Sequence, residues 1–486
     1  MLILYYLFRI NWAIRNMNYT SINPYNKIKS YLIDSEFQKN RVVQKITTYM
    51  DYIPYIDKLK LGYPDQITPG RPDYYITTTG TSGIPKIIPF HTNNQFSASS
   101  AVLIPFLRPK IMYSLLFGKI CYFFRKEKEV LYNGILCTNG VTRQMLNVKN
   151  SFLMSWLVRR SSVSEFYQYV HEAPGYDTMG VHIVNALKER NLKVIIGYFS
   201  RSVLEQFEKI LDNPDKFIRA IEIGEYVPLD GYVYKFKADP ARANELKKIL
   251  LNSSFSTKGW VKNIWPSLNL IVCGASGSFK TYIPLINHYT NNVEIYSPYC
   301  ACTEMIYGIN IYCKDNDLYC SDHKLGVIHT DNPDLLIDDK YTRLSISTVN
   351  GLDNYLVDDL LEINNNERTF VYHGRYDFYQ KIKFTEKEFV EKLIDIFGEN
   401  LRDYIIIEKE GKTILCLSVR NKLKKNIVLK TFNSTIPNLH VCYVNKEVFS
   451  NIVNIMEKRS SSREQLKIPR IINERHYLYQ HIKDIC

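Results

Sequence analysis

Thr77–Lys86 reads TTTGTSGIPK and follows the extended tetrapeptide DYYI, Asp73–Ile76. A strand that runs into hydroxyls, two glycines, a proline and a lysine raises one question. The loop either holds an anion or is a polar hairpin on the surface. It lacks the G-x-x-x-x-G-K-[ST] spacing of the Walker loop. The residue types still suit a phosphate cradle. Gly80 and Gly83 can reach positive φ and let backbone N–H groups approach an anion. Thr77, Thr78, Thr79, Thr81 and Ser82 offer hydroxyl donors, Pro85 stiffens the turn, and Lys86 brings a mobile point charge.

The pattern around the loop sets the fold class. LKVIIGYF (Leu192–Phe199) and LNLIVCGAS (Leu268–Ser276) are short apolar runs of buried-strand type, each followed by a helical stretch, and VEIYSPY (Val293–Tyr299) is a third strand. Strand, turn, helix and strand in repetition predict an α/β fold, with parallel or mixed sheets covered by helices. After Asp377 the texture changes. KFTEKEFVEKLIDIF has one apolar helical face, and YIIIEKEGKTILCLSV reads as a hairpin turning at Glu410–Lys412. The expected organisation is a large N-terminal domain over residues 1–376 and a small, mobile α+β domain over residues 377–486.

Composition excludes several classes. At 45% apolar and 23% charged residues, the 486-residue chain is globular rather than disordered. The formal charge of +13 fits either a nucleic-acid binder or an enzyme for a polyanion such as a nucleotide. No zinc finger, basic helix or aromatic RNA-binding box is present, so nucleic acid is not the expected partner. The ten cysteines show no C-x-x-C pairing for zinc and suggest free, mostly buried thiols in a reducing, cytoplasmic setting. The apolar start MLILYYLF is too short to span a bilayer and is read as the opening of a helix, buried or membrane-grazing. Ser276 and Ser278 in GASGS lack the G-x-S-x-G spacing of a hydrolase.

Six stretches, in order, carry a resemblance to a known family. TTTGTSGIPK resembles the phosphate-binding signature of adenylate-forming enzymes. Thr47–Gly62 (TTYMDYIPYIDKLKLG) is similar to the helix that precedes that loop in the Gretchen Hagen (auxin-responsive) acyl acid–amido synthetases. Lys262–Ile286 contains WP, GASGS and YIP in the order of that family's W-P-N…TGSM…Y-I-P segment. YSPYCACTEMIYGIN keeps Ala301, Thr303, Glu304, Gly308 and Asn310. NYLVDDLLEI keeps Tyr355 and Asp359, and QLKIPRII keeps Lys467, Pro469 and Arg470. The resemblance covers about residues 40–475.

The resemblance implies ATP and Mg²⁺ as cofactors and, as substrates, a carboxylic acid and an amine, with an amino acid the expected amine. Glu304 would help hold Mg²⁺, which suits hard oxygen ligands. Asp359 would accept from the ribose hydroxyls, and Arg375, in the GR before the small domain, would reach ribose or phosphate. Lys467 and Lys86 would be the catalytic cations, Lys467 neutralising charge at the α-phosphate. Tyr299 and Thr303 would border the nucleotide. Three departures stand out. The adenine-stacking aromatic falls on Cys300, with Tyr299 one residue early, and Leu356 and Asp358 replace the family's Arg and Gly. An added acid at Asp358 is expected to repel the nucleotide. The alternative is a descendant that keeps the fold and acts as a binding or structural protein.

Overall fold

The computed structural model describes residues 28, 32–40, 45–78, 85–91, 109–124, 129–140, 152–164, 177–228, 231–311, 315–321, 326–329, 332–364, 369–422, 425–459 and 465–483. The expectations for the N-terminal MLILYYLF and for Thr79, Gly80, Thr81, Ser82 and Gly83 fall outside these residues. Among the described residues the strands form four main sheets and a two-stranded ribbon, and the architecture is α/β as expected.

The apolar runs build a wholly parallel sheet. Its order is Glu294–Tyr296, Leu270–Gly274, Leu192–Phe199, Lys119–Phe123. Leu192–Phe199 is buried along nearly its whole length, because helices Thr178–Lys188 and Ser200–Asp212 and their neighbours share its core. A parallel strand covered on both faces needs a continuous apolar sequence rather than an alternating one. Asp177 accepts from the Gly180 N–H at 2.9 Å and caps the first of those helices.

DYYI forms one arm of a hairpin. Tyr74–Thr77 pairs antiparallel with Ile87–Phe90, and the TTTGTSGIPK loop joins the two. The hairpin packs in one core with an eight-stranded, largely antiparallel sheet containing Tyr299–Ala301, Ile306–Ile309, Tyr355–Asn364 and Thr369–Arg375. A fourth sheet, Leu439–Tyr443, Lys412–Val419, Leu401–Lys409 and Ile471–Ile472, belongs to the C-terminal region. The core on one of its faces begins at Phe378. Helix Glu386–Phe397 enters this unit through a capping box. The Thr385 N–H donates to Glu388 Oε2 at 2.9 Å, and the Glu388 N–H donates to Thr385 Oγ1 at 3.1 Å.

The C-terminal unit rests on the large one through polar contacts. Arg470 binds Asp403 and reaches Tyr282 Oη at 3.1 Å, while that hydroxyl donates to Asp403 Oδ2 at 2.8 Å. Lys280 bridges Asp317 at 2.6 Å and Glu391 at 2.8 Å. Arg402 pairs with Glu208 at 3.1 Å.

Cys121, Cys137 and Cys273 are free and buried. Cys442 is disulfide-bonded, which corrects the expectation of free thiols at that position. Among the described residues, no helix is long and apolar enough to cross a membrane.

Gly308 shows how tightly the eight-stranded sheet is filled. A Cβ there would lie 2.4 Å from Phe370 Cζ, 2.9 Å from Tyr319 Cβ and 3.0 Å from Cys300 Cβ. Gly308→Ala is therefore expected to destabilise the fold by about 1–3 kcal/mol through overpacking; urea unfolding of both proteins checks it.

Candidate active site

The hairpin delivers Lys86 to a buried acid. Its backbone N–H donates to Thr78 Oγ1 at 2.8 Å, and the Thr78 N–H donates to the Lys86 carbonyl at 2.9 Å, closing the neck of the loop. Lys86 Nζ then donates to Tyr355 Oη at 2.9 Å and lies 3.7 Å from Glu304 Oε1. The Tyr355 hydroxyl donates to the same Glu304 oxygen at 3.0 Å. Burial, with Glu304 next, pushes the Tyr355 phenol well above its usual range, so it remains a donor. Glu304 and Tyr355 are buried. Helix Tyr49–Lys60 supports the group from behind. Tyr49 Oη accepts from the Ile87 N–H at 2.8 Å, and Lys86 Nζ sits 5.8 Å from the Tyr49 ring centroid and 5.4 Å from that of Tyr355. The Tyr52 and Tyr355 rings meet edge-on at 6.0 Å.

Asp359 lies further along the Tyr355 strand, in a second cluster. It is the cross-strand partner of Arg375, and Arg375 Nη1 donates to Asp359 Oδ1 at 3.1 Å and to the Val357 carbonyl at 2.7 Å. Burial alone would lower the Arg375 pKa, but the Asp359 and Asp377 carboxylates outweigh it and hold the guanidinium charged. Tyr307 Oη donates to Asp359 Oδ2 at 2.5 Å, and the Cys300 thiol donates to Tyr307 Oη at 3.2 Å. A carboxylate offers about four acceptor positions, so Asp359 is held in place and still has lone pairs for a ligand. Cys300 is buried, and burial raises its thiol well above the usual value. Tyr299, the preceding residue on the strand, points to the opposite face. Thr303 is half-buried beside Glu304.

Asp358 forms an ion pair across the strand with Arg343. Arg343 donates to its Oδ1 from Nε at 3.2 Å and from Nη2 at 2.5 Å. The strand bulges here, because the residues between Leu356 and Leu360 oppose only those between Ser345 and Arg343. Asp358 takes φ +69°, a left-handed conformation that favours glycine and that Asp tolerates better than most residues. The bulge turns Asp359 toward Arg375 and places the Asp358 carboxylate on Arg343.

Lys467 completes the group from the C-terminal unit. Its Nζ stands 5.4 Å from the Phe199 ring centroid and 6.0 Å from that of Phe279, and these rings stack at 4.1 Å and 4°. Phe199 ends its strand at the carboxyl edge of the parallel sheet, where open α/β sheets place their ligands. Lys467 also lowers the Cys300 thiol electrostatically, against the larger effect of burial, so its charge faces the Asp359 cluster. Lys86, Glu304, Asp359, Arg375 and Lys467, named from sequence, thus converge. Tyr49, Tyr307, Arg343 and the Phe199–Phe279 pair were missed; each acts through partners distant in sequence, although Tyr49, Phe279 and Tyr307 lie inside recognised segments.

A sequence profile described as the GH3 family N-terminal domain matches residues 25–295. The chain belongs to the GH3 family. It is 27% identical over 384 residues to the indole-3-acetic acid-amido synthetase GH3.15 of Arabidopsis thaliana, covering 70% of this chain and 62% of that protein. It is 22% identical over 312 residues to the 4-substituted benzoates-glutamate ligase GH3.12 of the same plant, covering 59% and 51%. The matched region thus spans between half and two thirds of these relatives' lengths. The solved GH3.15 acyl acid amido synthetase superposes with a TM-score of 0.77 at 19% identity, over 94% of this chain and 92% of that one. GH3 architecture therefore extends well past the profile match, into the C-terminal unit.

Tyr307→Phe leaves Asp359 Oδ2 without its donor in a buried setting. The expected loss is about 1–3 kcal/mol of stability, read by chemical denaturation, with a near-normal fold by circular dichroism.

Proposed function

We propose that this GH3 protein joins a carboxylic acid to an amine, an amino acid by analogy with the names of its relatives, at the expense of ATP. The observation that carries the reading is that Lys86 meets Glu304 through Tyr355, Asp359 pairs with Arg375 further along the same strand, and Lys467 acts on Cys300 beside Asp359. In the first half-reaction a carboxylate oxygen attacks the α-phosphorus, and the bond to pyrophosphate breaks. In the second, the amine nitrogen attacks the acyl carbon, AMP leaves and the nitrogen gives up a proton.

Each residue has a task suited to its setting. The TTTGTSGIPK hairpin and Lys86 would hold the phosphates. Asp359, fixed by Tyr307 and Arg375, would accept from the ribose hydroxyls without first reorganising. Lys467, mounted on the C-terminal unit, would neutralise charge that develops as the α-phosphate reacts. The donor set fits Mg²⁺, which commonly takes one or two protein carboxylates and completes its shell with phosphates and water; Glu304 would be that carboxylate. Among the described residues there is no group of three or more His, Cys, Asp or Glu side chains able to hold a metal by themselves, which agrees with a metal held largely by its nucleotide. Bound Mg²⁺ would offset phosphate charge. The division at residues 376 and 377, with the small domain moving between half-reactions, is part of the proposal; the start of the C-terminal core at Phe378 supports it.

Calorimetry with Mg·ATP tests the nucleotide site. The wild type is expected to bind, Lys86→Ala and Asp359→Ala to lose at least tenfold in affinity, and Lys467→Ala to bind nearly normally. Absence of binding at millimolar Mg·ATP would favour a protein that keeps the fold without the chemistry, as Cys300 at the adenine-stacking position would then suggest.

A further inference from the structure

Glu386 is the first residue of helix Glu386–Phe397, yet its side chain is turned into the large unit. It is 6% exposed, and its carboxyl makes no hydrogen bond or ion pair among the described residues. The space it fills is left open by two glycines of the large unit. A Cβ on Gly374 would lie 2.4 Å from Glu386 Cβ and 2.7 Å from its Oε2, and a Cβ on Gly277 would lie 3.5 Å from that oxygen. Gly374 and Gly277 take φ +110° and +56°.

The charges around it are already engaged. Arg375 pairs with Asp359 and Arg470 with Asp403. Asp377 and Asp359 add repulsion, and Tyr372 and Tyr404 also lie within electrostatic reach. Burial, with Asp377 second, raises the Glu386 carboxyl to about 7, although a helix N-terminus by itself favours the anion. His373 faces the other side of its strand, with Nε2 2.9 Å from Glu362 Oε2 and Nδ1 3.4 Å from Thr385 Oγ1.

We propose that docking of the C-terminal unit takes up a proton at Glu386, so that the arrangement that brings Lys467 into the site is favoured at lower pH and loosened as pH rises through neutrality. The inference rests on the two-unit division proposed above.

The sign follows from linkage. An undocked, solvated glutamate titrates near about 4.3, and the docked one near 7. Below the first value the carboxyl is protonated in both arrangements. Between the two, only the docked form keeps the proton, and the docking constant falls about tenfold per pH unit. Above about 7 both are ionised and the constant levels off. His373 is displaced the other way, below its usual value by burial, and would strengthen docking as pH rises. Glu208, raised by burial beside Arg402, has the same sign as Glu386, so a variant must separate them.

Hydrogen–deuterium exchange of the full chain between pH 5.5 and 8.5, corrected for intrinsic rates, reads docking at residues 277–282 and 386–391. Protection in the wild type is expected to fall about tenfold per pH unit up to about pH 7. Glu386→Gln should lose that slope and stay protected at pH 8.5, whereas Glu386→Asp should keep a slope. Equal slopes in wild type and Glu386→Gln, or none in the wild type, would overturn the proposal while leaving the two-unit reading intact. Exchange of both segments only through global unfolding would overturn both.

Discussion

A single buried hydroxyl joins the parts of the site. Tyr355 Oη accepts from Lys86 and donates to Glu304, and so connects the TTTGTSGIPK hairpin, the CTE turn and the central strand of the eight-stranded sheet. The same tyrosine packs against Tyr52 of the preceding helix, and its backbone bridges to Thr47. A carboxylate taken out of water is costly unless paired and hydrogen-bonded, and Glu304 is buried. The phenol supplies that bonding at the point where the two charges meet. Register does the rest: with Tyr355 placed, the bulge at Asp358 determines that Asp359 faces Arg375.

Much of this could be read before folding, and the parts that could not share a cause. The parallel sheet is legible because burial on both faces demands continuous apolar runs such as LKVIIGYF. The helix after Thr385 is legible because capping box and apolar face agree. The Asp358–Arg343 pair was not legible because a sequence does not show that the backbone turns left-handed there or that Arg343 lies across the strand. Tyr307 and Tyr49 were passed over for a related reason. A tyrosine in an apolar run reads as core, and only the tertiary fold shows its hydroxyl meeting Asp359 or the hairpin backbone.

The C-terminal unit is held differently from the cores. The contacts that tie it to the large unit include ionised or hydroxyl-bearing groups: Tyr282 with Asp403 and Arg470, Lys280 with Glu391, and Arg402 with Glu208. Such contacts depend on pH and on competition from water, and they can be exchanged for solvation at modest net cost. Such a surface would suit the proposed movement of Lys467 into and out of the site better than a continuous apolar one.

The most direct test of the central claim is acid-dependent exchange of labelled pyrophosphate into ATP, measured across a panel of carboxylic acids with the wild type and Lys467→Ala. The account predicts exchange that needs both an acid and Mg²⁺ and that falls by at least a hundredfold in Lys467→Ala. Exchange unaffected by the loss of Lys467, or no exchange with any acid from a protein that binds Mg·ATP, would contradict it.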